Sequence, residues 1–504
     1  MKRYNLIVLS IFAVLTWNSC SEDFLDVDSA TKLYVNEYYS TDERIFEALV
    51  AAYDPQQWCD WSWKNQYTPL NLSSDVMADD VHVGGADEND CLWYHKMANY
   101  SALPTSVIAD LWTTLFSGVN RANNVLENME NVTKISDANK ALYTAEAKVL
   151  RSFYYTFLWK FWGNIPYYEK NLSYPYTSKQ LTADETYNGI VTTLEDAIAN
   201  GGLPMKTTSE WNGRVTLAMA YMLYAEVVMY QNDQSRYSKA LGYMEEIINS
   251  GQYKLVSDFA GIWESTGEWC SESIYEINYF SAGAKRSWSN PLVDGGTVYP
   301  KLIGIYGIIG STDWAGGWGF EPVRRVAYEM YEENDQRRDG GIFNFAAYAA
   351  KTGVTHAQRY QDQGFFLKKY IPRYNGNAGQ AADADLNYNN NLRIYRYAET
   401  LLNAAELIAR GASGSGTAQG YLDQVRTRAG VGSIAPTVEN IIKERRLEFV
   451  GEGKRYWDLI RSGMATTYLG PNDYRTVTWS ESKKYLPIPQ AEMDADPGLV
   501  QNQY

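Results

Sequence analysis

A mostly α-helical chain, built on paired helices and interrupted by a loop-rich irregular insertion, is predicted by three observations. Segments 187–199, 214–231 and 237–249 carry apolar residues at helical spacing in a helix-turn-helix rhythm. Gly201, Gly202 and Pro204 punctuate the first turn, and Asn249, Ser250 and Gly251 end the last helix. The periodicity then fails over about 252–374, where stretches such as GGTVYPKLIGIYGIIGSTDWAGGWGF are rich in Gly, Trp, Tyr and Ser and predict turns. It returns at 392–409, 418–428 and 438–450.

The first element in chain order is an export signal. Lys2 and Arg3 precede an apolar run, IVLSIFAVL, that is too short to cross a bilayer core, which takes roughly 20 apolar residues. Ser19 and Cys20 then stand where a bacterial lipoprotein signal places its cleavage junction and its acyl acceptor. Residues 1–19 are read as the signal peptide, 20–30 as an acidic tether, and 20–504 as a single domain containing the insertion. A multiply acylated Cys20 would anchor the protein to the membrane, because each buried methylene contributes about 0.8 kcal/mol. An ordinary signal peptide with a bystander cysteine is the alternative. No other stretch is apolar enough to span.

The net charge of −15 disfavours nucleic acid, which calls for a concentrated basic surface. Cys59, Cys91 and Cys270 are an odd set without CxxC spacing, against a disulfide framework or a zinc site. A Cys59–Cys91 bridge and plain buried thiols both remain open. Among the helices, RVTLAMAYMLYAEVVMYQ places Val215, Ala218, Met219, Met222, Leu223 and Met229 at helical spacing, and Ala218 and Ala225 permit close approach of a partner. The pairs resemble degenerate tetratricopeptide units. GASGSG, between the first and second of the later helices, lacks the Lys-Ser/Thr ending of a phosphate loop and reads as a connector.

Several segments together resemble the SusD/RagB family of surface nutrient-binding lipoproteins. They are CSEDFLDV at the mature start, AEAKVLRSFYYTFLWKFWGNIPYY (145–168), LRIYRYAETLLNAAE, VRTRAGV, KERRLEFVGEGKRYWDLIRSG and YLPIPQAEMDADPGLVQNQY. The resemblance implies a SusD-like fold with four tetratricopeptide-like helix pairs. It also implies a place on the outer-membrane cell surface, capping a SusC-like TonB-dependent transporter and holding glycan, or in the RagB-like alternative peptide, for uptake. The motif residues themselves read as structural. Arg445 projects a charge onto an apolar helix face, where Glu448 or a carboxylate on another helix must pair with it. Arg151 reads the same way, and Phe153, Phe157 and Trp159 read as core and not as ligand platforms.

Nothing in the chain carries an enzyme's pattern: HExxH, GxSxG and nucleotide loops are missing, and His82, His95 and His356 are scattered. Adjacent acids such as Asp79 and Asp80 read as surface. No cofactor is expected. Calcium is the one metal weighed, on DADLNYN, where Asp383, Asp385, Asn387 and Asn389 alternate; but Tyr388 replaces the required Gly and Ile394 the bidentate Glu, so a polar loop fits better.

Aromatic binding is the stronger signal. Sugar rings present apolar C–H faces beside hydroxyls, so a glycan site needs exposed Trp or Tyr faces with polar neighbours. Two clusters off the periodic helices qualify. WCDWSWKNQY with CLWYHKMANY supplies Trp58, Trp61, Trp63, Trp93, Tyr94 and Asn99, with Asp80 as a polar candidate; the insertion supplies Trp288, Tyr299, Asp313, Trp314 and Trp318. The resemblance points to these same loops as the ligand side. Each Trp could equally plug a small core beneath its loop.

Overall fold

The computed structural model describes residues 38–62, 66–282, 285–293, 295–374 and 383–504. Cys20, the signal and tether segments, and Trp63 lie outside them. Helix α1 (Asp42–Trp58) starts on Thr41, whose hydroxyl accepts the Arg44 amide. α2 (Leu92–Ala98) is short. α3 (Ala109–Asn128) leads into α4 (Asp137–Trp162), which is capped by Ser136 and halted by Gly163 at φ 66°. α5 (Ala183–Asn200) opens with a reciprocal capping box between Thr182 and Glu185. α6 (Leu217–Gln231) and α7 (Tyr237–Asn249) complete the first row. After the insertion come α8 (Tyr397–Ala409), α9 (Ala418–Ala429), α10 (Val438–Glu448) and α11 (Arg455–Arg461).

From α3 to α9 each helix packs on the next, and α1 covers α3 and α4. The expected scaffold of helix pairs is therefore present. Its row is continuous in space where it is broken in sequence: α7 stacks directly on α8, although about 150 residues separate them. The irregular segment is thus an insertion between two neighbouring helices of one row.

The helix expected over 392–409 proves to be two elements. Strand β2 (Leu392–Arg396) pairs antiparallel with β1 (Ser273–Ile277), and only then does α8 begin. Ile394 and Tyr395 favour extended backbone, and Arg393 and Arg396, an odd number of positions apart, find carboxylate partners in Glu276 and Glu448. The helix expected from 214 starts at Leu217 because Thr216 caps it, accepting the Met219 amide. Within the insertion, Ile342–Asn344 pairs with Phe365–Leu367, and short helices such as Phe345–Thr352 intervene.

The motif KERRLEFVGEGKRYWDLIRSG is a buried charge lattice that ties the insertion to the row. Glu448 receives Arg428, Arg396 and Arg337 at 2.5, 3.0 and 3.2 Å. Glu452 receives Arg396 and Lys369, and Arg446 reaches back to Asp80 at 2.6 Å. Arg445 pairs with Glu399 and Asp458, so its partners stand on other helices and Glu448 is not one of them. Arg151 donates to Asn123 Oδ1 and the Glu169 carbonyl, and Phe153 and Trp159 are fully buried. Such networks fix geometry more than they add stability. Among the described residues no helix is long and apolar enough to cross a membrane.

Candidate functional site

Four aromatic rings from three separated segments meet at one place. Trp61 stands edge-on to Trp288 with centroids 5.0 Å apart; Trp288 lies nearly parallel to Trp318 at 6.3 Å and 27°; Tyr67 closes the group against Trp318 at 5.5 Å. Trp288 is 43% exposed, whereas Trp61 is buried beneath it. One open indole face therefore rests on supporting rings.

The support is specific. Asp60, next to Trp61, is bound by Arg286 through two hydrogen bonds of 2.7 and 3.0 Å, and it also accepts from Thr297 Oγ1 and the Val298 amide. Arg286 donates further to the carbonyls of Trp61, Gly296 and Pro291. A guanidinium with all five of its donors used is a rigid pin. It fastens the loop of Trp288 to the segment of Trp61, and the Trp288 amide is held by Asp383 at 2.8 Å. Trp318 is placed by its amide bond to the Lys301 carbonyl, and the strip before it runs so close to Gly304 that a β-carbon on Gly317 would stand 2.3 Å from Gly304 Cα. Only glycine fits there.

Polar groups surround the rings. Lys301 pairs with Asp385 at 3.1 Å; Arg359 lies 4.2 Å over the exposed Tyr306 ring and 3.5 Å from Asp90. Burial, with Cys91, Asp90 and Asp385 nearby, pushes the Tyr67 hydroxyl up to about 12. It therefore remains a neutral donor at physiological pH. The arrangement can stack an apolar ring face and direct hydrogen bonds to its edge.

Of the candidates named from sequence, Trp61, Trp288 and Trp318 come together. Trp314 and Asp313 form a second group: Trp314 is half-buried under the Arg373 guanidinium at 4.8 Å and against Phe343, and exposed Asp313 accepts the Tyr374 amide on its carbonyl. The others sit elsewhere for physical reasons. Trp58 is buried at the end of α1 under Arg121. Tyr94 is wholly buried on α2, its hydroxyl 3.2 Å from Ser73, and Trp93 beside it is half-buried, so this pair lies on a helix, not in a free loop. Tyr299 is buried, accepting from Asn71 and donating to Glu321. Asp80 is neutralised by Arg446, and Asn99 Oδ1 accepts the Thr476 and Val477 amides. Of these six, Trp58, Tyr94 and Tyr299 are buried and present no open ring face.

Sequence reasoning missed Tyr67, Asp60, Arg286, Lys301, Tyr306 and Arg359. Tyr67 and Asp60 lie in the WCDWSWKNQY run already singled out; Arg286 and Arg359 carry no local signal. The DADLNYN run serves the site in another way than as a cation loop. Asp383 holds Trp288, Asp385 pairs with Lys301, and Asn387 donates to the Arg286 carbonyl, so its groups diverge to separate partners. No group of three or more His, Cys, Asp or Glu suited to a metal occurs among the described residues, where Cys59, Cys91 and Cys270 are free thiols. A separate cleft of about 280 Å³ near Phe46 and Trp211 is lined in part by Arg214, whose guanidinium pairs with the buried Glu146.

A helical-repeat row that carries an aromatic platform on its one long insertion and its N-terminal loops defines the class. The chain belongs to the SusD family: residues 271–504 match the model described as SusD family, and residues 23–228 the one described as starch-binding associating with outer membrane. Among solved structures it is similar to Surface glycan-binding protein A from Bacteroides thetaiotaomicron in complex with laminarihexaose, at 54% identity over 92% of this chain and 100% of that one (TM-score 0.88). Its counterpart from Bacteroides uniformis is 47% identical over 92% and 100% (TM-score 0.84). A laminarin-binding SusD-like protein is 28% identical over 92% and 99% (TM-score 0.82).

Proposed function

We propose that this chain is a non-catalytic binding protein that captures a neutral glucan of the laminarin type on the Trp288 platform. It is anchored at the outer-membrane surface through an acylated Cys20 and passes its ligand to a SusC-like TonB-dependent transporter. The observation that carries the reading is the open Trp288 face, braced by Trp61, Trp318 and Tyr67 and bordered by Tyr306, Lys301 and Asp385. The laminarihexaose complex of a relative at 54% identity supports the ligand class. Stacking and hydrogen bonding divide the work, without bond cleavage.

Calorimetry and affinity electrophoresis of the mature chain against laminarihexaose, other glucans and a peptide panel test the reading. Binding without release of shorter sugars is expected, and Trp288→Ala should weaken it roughly tenfold or more, about 1.4 kcal/mol per decade. Tight peptide binding with no glucan retained would sink the proposal. For the anchor, metabolic labelling with a fatty acid should mark the wild type and not Cys20→Ala; equal labelling of both would remove it.

A further inference from the structure

A groove of about 540 Å³ that shares no lining residue with the Trp288 group runs between α3, the loop after α4 and the C-terminal turn. Its floor is the stacked pair Phe116 and Tyr168, with centroids 6.0 Å apart and planes at 14°. The loop is stapled to α3: the Tyr168 hydroxyl donates to Asn120 Oδ1 at 2.9 Å, and the Asn171 side chain to the Asn120 carbonyl at 3.0 Å. On the lip stand Tyr176, 69% exposed, and Tyr174, 85% exposed, with rings perpendicular at 6.2 Å.

This lip gains little for the fold from its rings. Two phenol rings left in water forgo burial worth roughly 25 cal/mol per Å². Tyr176 also holds φ 63°, a left-handed conformation that costs a non-glycine residue on the order of 1 to 3 kcal/mol. Strain and exposure at one residue, at the mouth of a preformed groove, point to a ligand. The lining names the ligand's chemistry. Asn120, Ser117 and Ser178 supply amide and hydroxyl groups, Glu492 and Asp496 supply carboxylates, and no Lys or Arg lines the groove among the described residues. A sulfated or uronic chain would meet uncompensated negative charge, whereas a neutral sugar donates its hydroxyls to those carboxylates and lays its C–H face on the tyrosines.

We propose that this groove is a second saccharide subsite, which takes another stretch of the neutral glucan held at Trp288. The inference rests on the function proposed above. Two contacts on one polymer act at high effective concentration, so affinity for long chains rises with none for short ones.

Calorimetry of the mature chain with laminarihexaose and with laminarin separates the two readings. Tyr174→Ala combined with Tyr176→Ala should leave the tighter hexasaccharide constant unchanged and weaken laminarin binding at least threefold. Trp288→Ala should retain weak laminarin binding that Tyr176→Ala then abolishes. Tyr176→Gly relaxes the backbone, so it should raise the melting temperature while lowering laminarin affinity, a combination that a purely structural tyrosine cannot give. Wild type that binds neither probe overturns the function itself. Wild type that binds both, with laminarin affinity indifferent to the tyrosines, overturns the subsite alone, as does loss only of a cross-linked protein neighbour, which would make the groove a protein-docking face.

Discussion

Arg286 shows how much of the aromatic group depends on a side chain buried beneath it. It is 2% exposed and joins Asp60 to the carbonyls around it. Removing one partner of a buried pair strands the other and costs about 3 to 5 kcal/mol. Arg286→Met should therefore lower the melting temperature and weaken glucan binding together, with Asp60→Asn added to it recovering part of the stability. Calorimetric melting and titration of both variants check this; a double variant no more stable than the single one would mean the pair is not the brace. The aromatic residues were legible as a group because Trp61, Trp288 and Trp318 fall where periodicity fails. Their faces were not. Tyr94 and Tyr299 lie in equally irregular sequence yet are buried, because hydroxyl partners at Ser73 and Glu321 allow a tyrosine to be core. Composition cannot tell the two outcomes apart, since the partner is distant in sequence.

Elements were readable where the signal is local. Tyr237–Asn249 lies where its apolar spacing puts it, whereas the helix read over 187–199 starts four residues earlier, at Ala183, because Thr182 and Glu185 cap it reciprocally. The first turn of the helix read from 214 was lost to a cap for the same local reason. LRIYR misled because its apolar residues also fit a helical face, and what decides for β2 is its pairing with β1, more than a hundred residues earlier in the chain. The charge lattice was legible only in part. Arg445 had to be paired, but that its partners are Glu399 and Asp458 follows from how α8, α10 and α11 meet.

At the scale of the whole molecule, buried carboxyls of opposite character set the pH response. Burial raises Asp75 to about 8, and Glu321, which faces it, is raised well above the usual carboxylate range by burial and by Asp75 itself. A group whose folded value is raised stabilises fully below its unfolded value near 4, and that contribution is lost as pH climbs toward the folded value, by about 1.4 kcal/mol per unit for one proton. Asp458 behaves oppositely: burial pushes it up, but Arg445 and Arg461 outweigh burial and hold it down at about 2, so its contribution is lost as pH falls from about 4 to about 2. The melting temperature should decline between pH 5 and pH 8, and Asp75→Asn should flatten that decline; parallel curves for wild type and variant would refute the assignment. The junction of α7 with α8 has a consequence of another kind, in the order of assembly. Closing a loop of about 150 residues costs about 2 kcal/mol more entropy than closing one of about 10. A β1–β2 pair formed first would meet most of that cost, because β2 runs straight into α8 and β1 lies nearer to α7 in the chain than β2 does. The strand pair is in this sense a clasp: with it shut, docking of the second half of the row on the first becomes a more local event, and the residues between β1 and β2 form a closed loop.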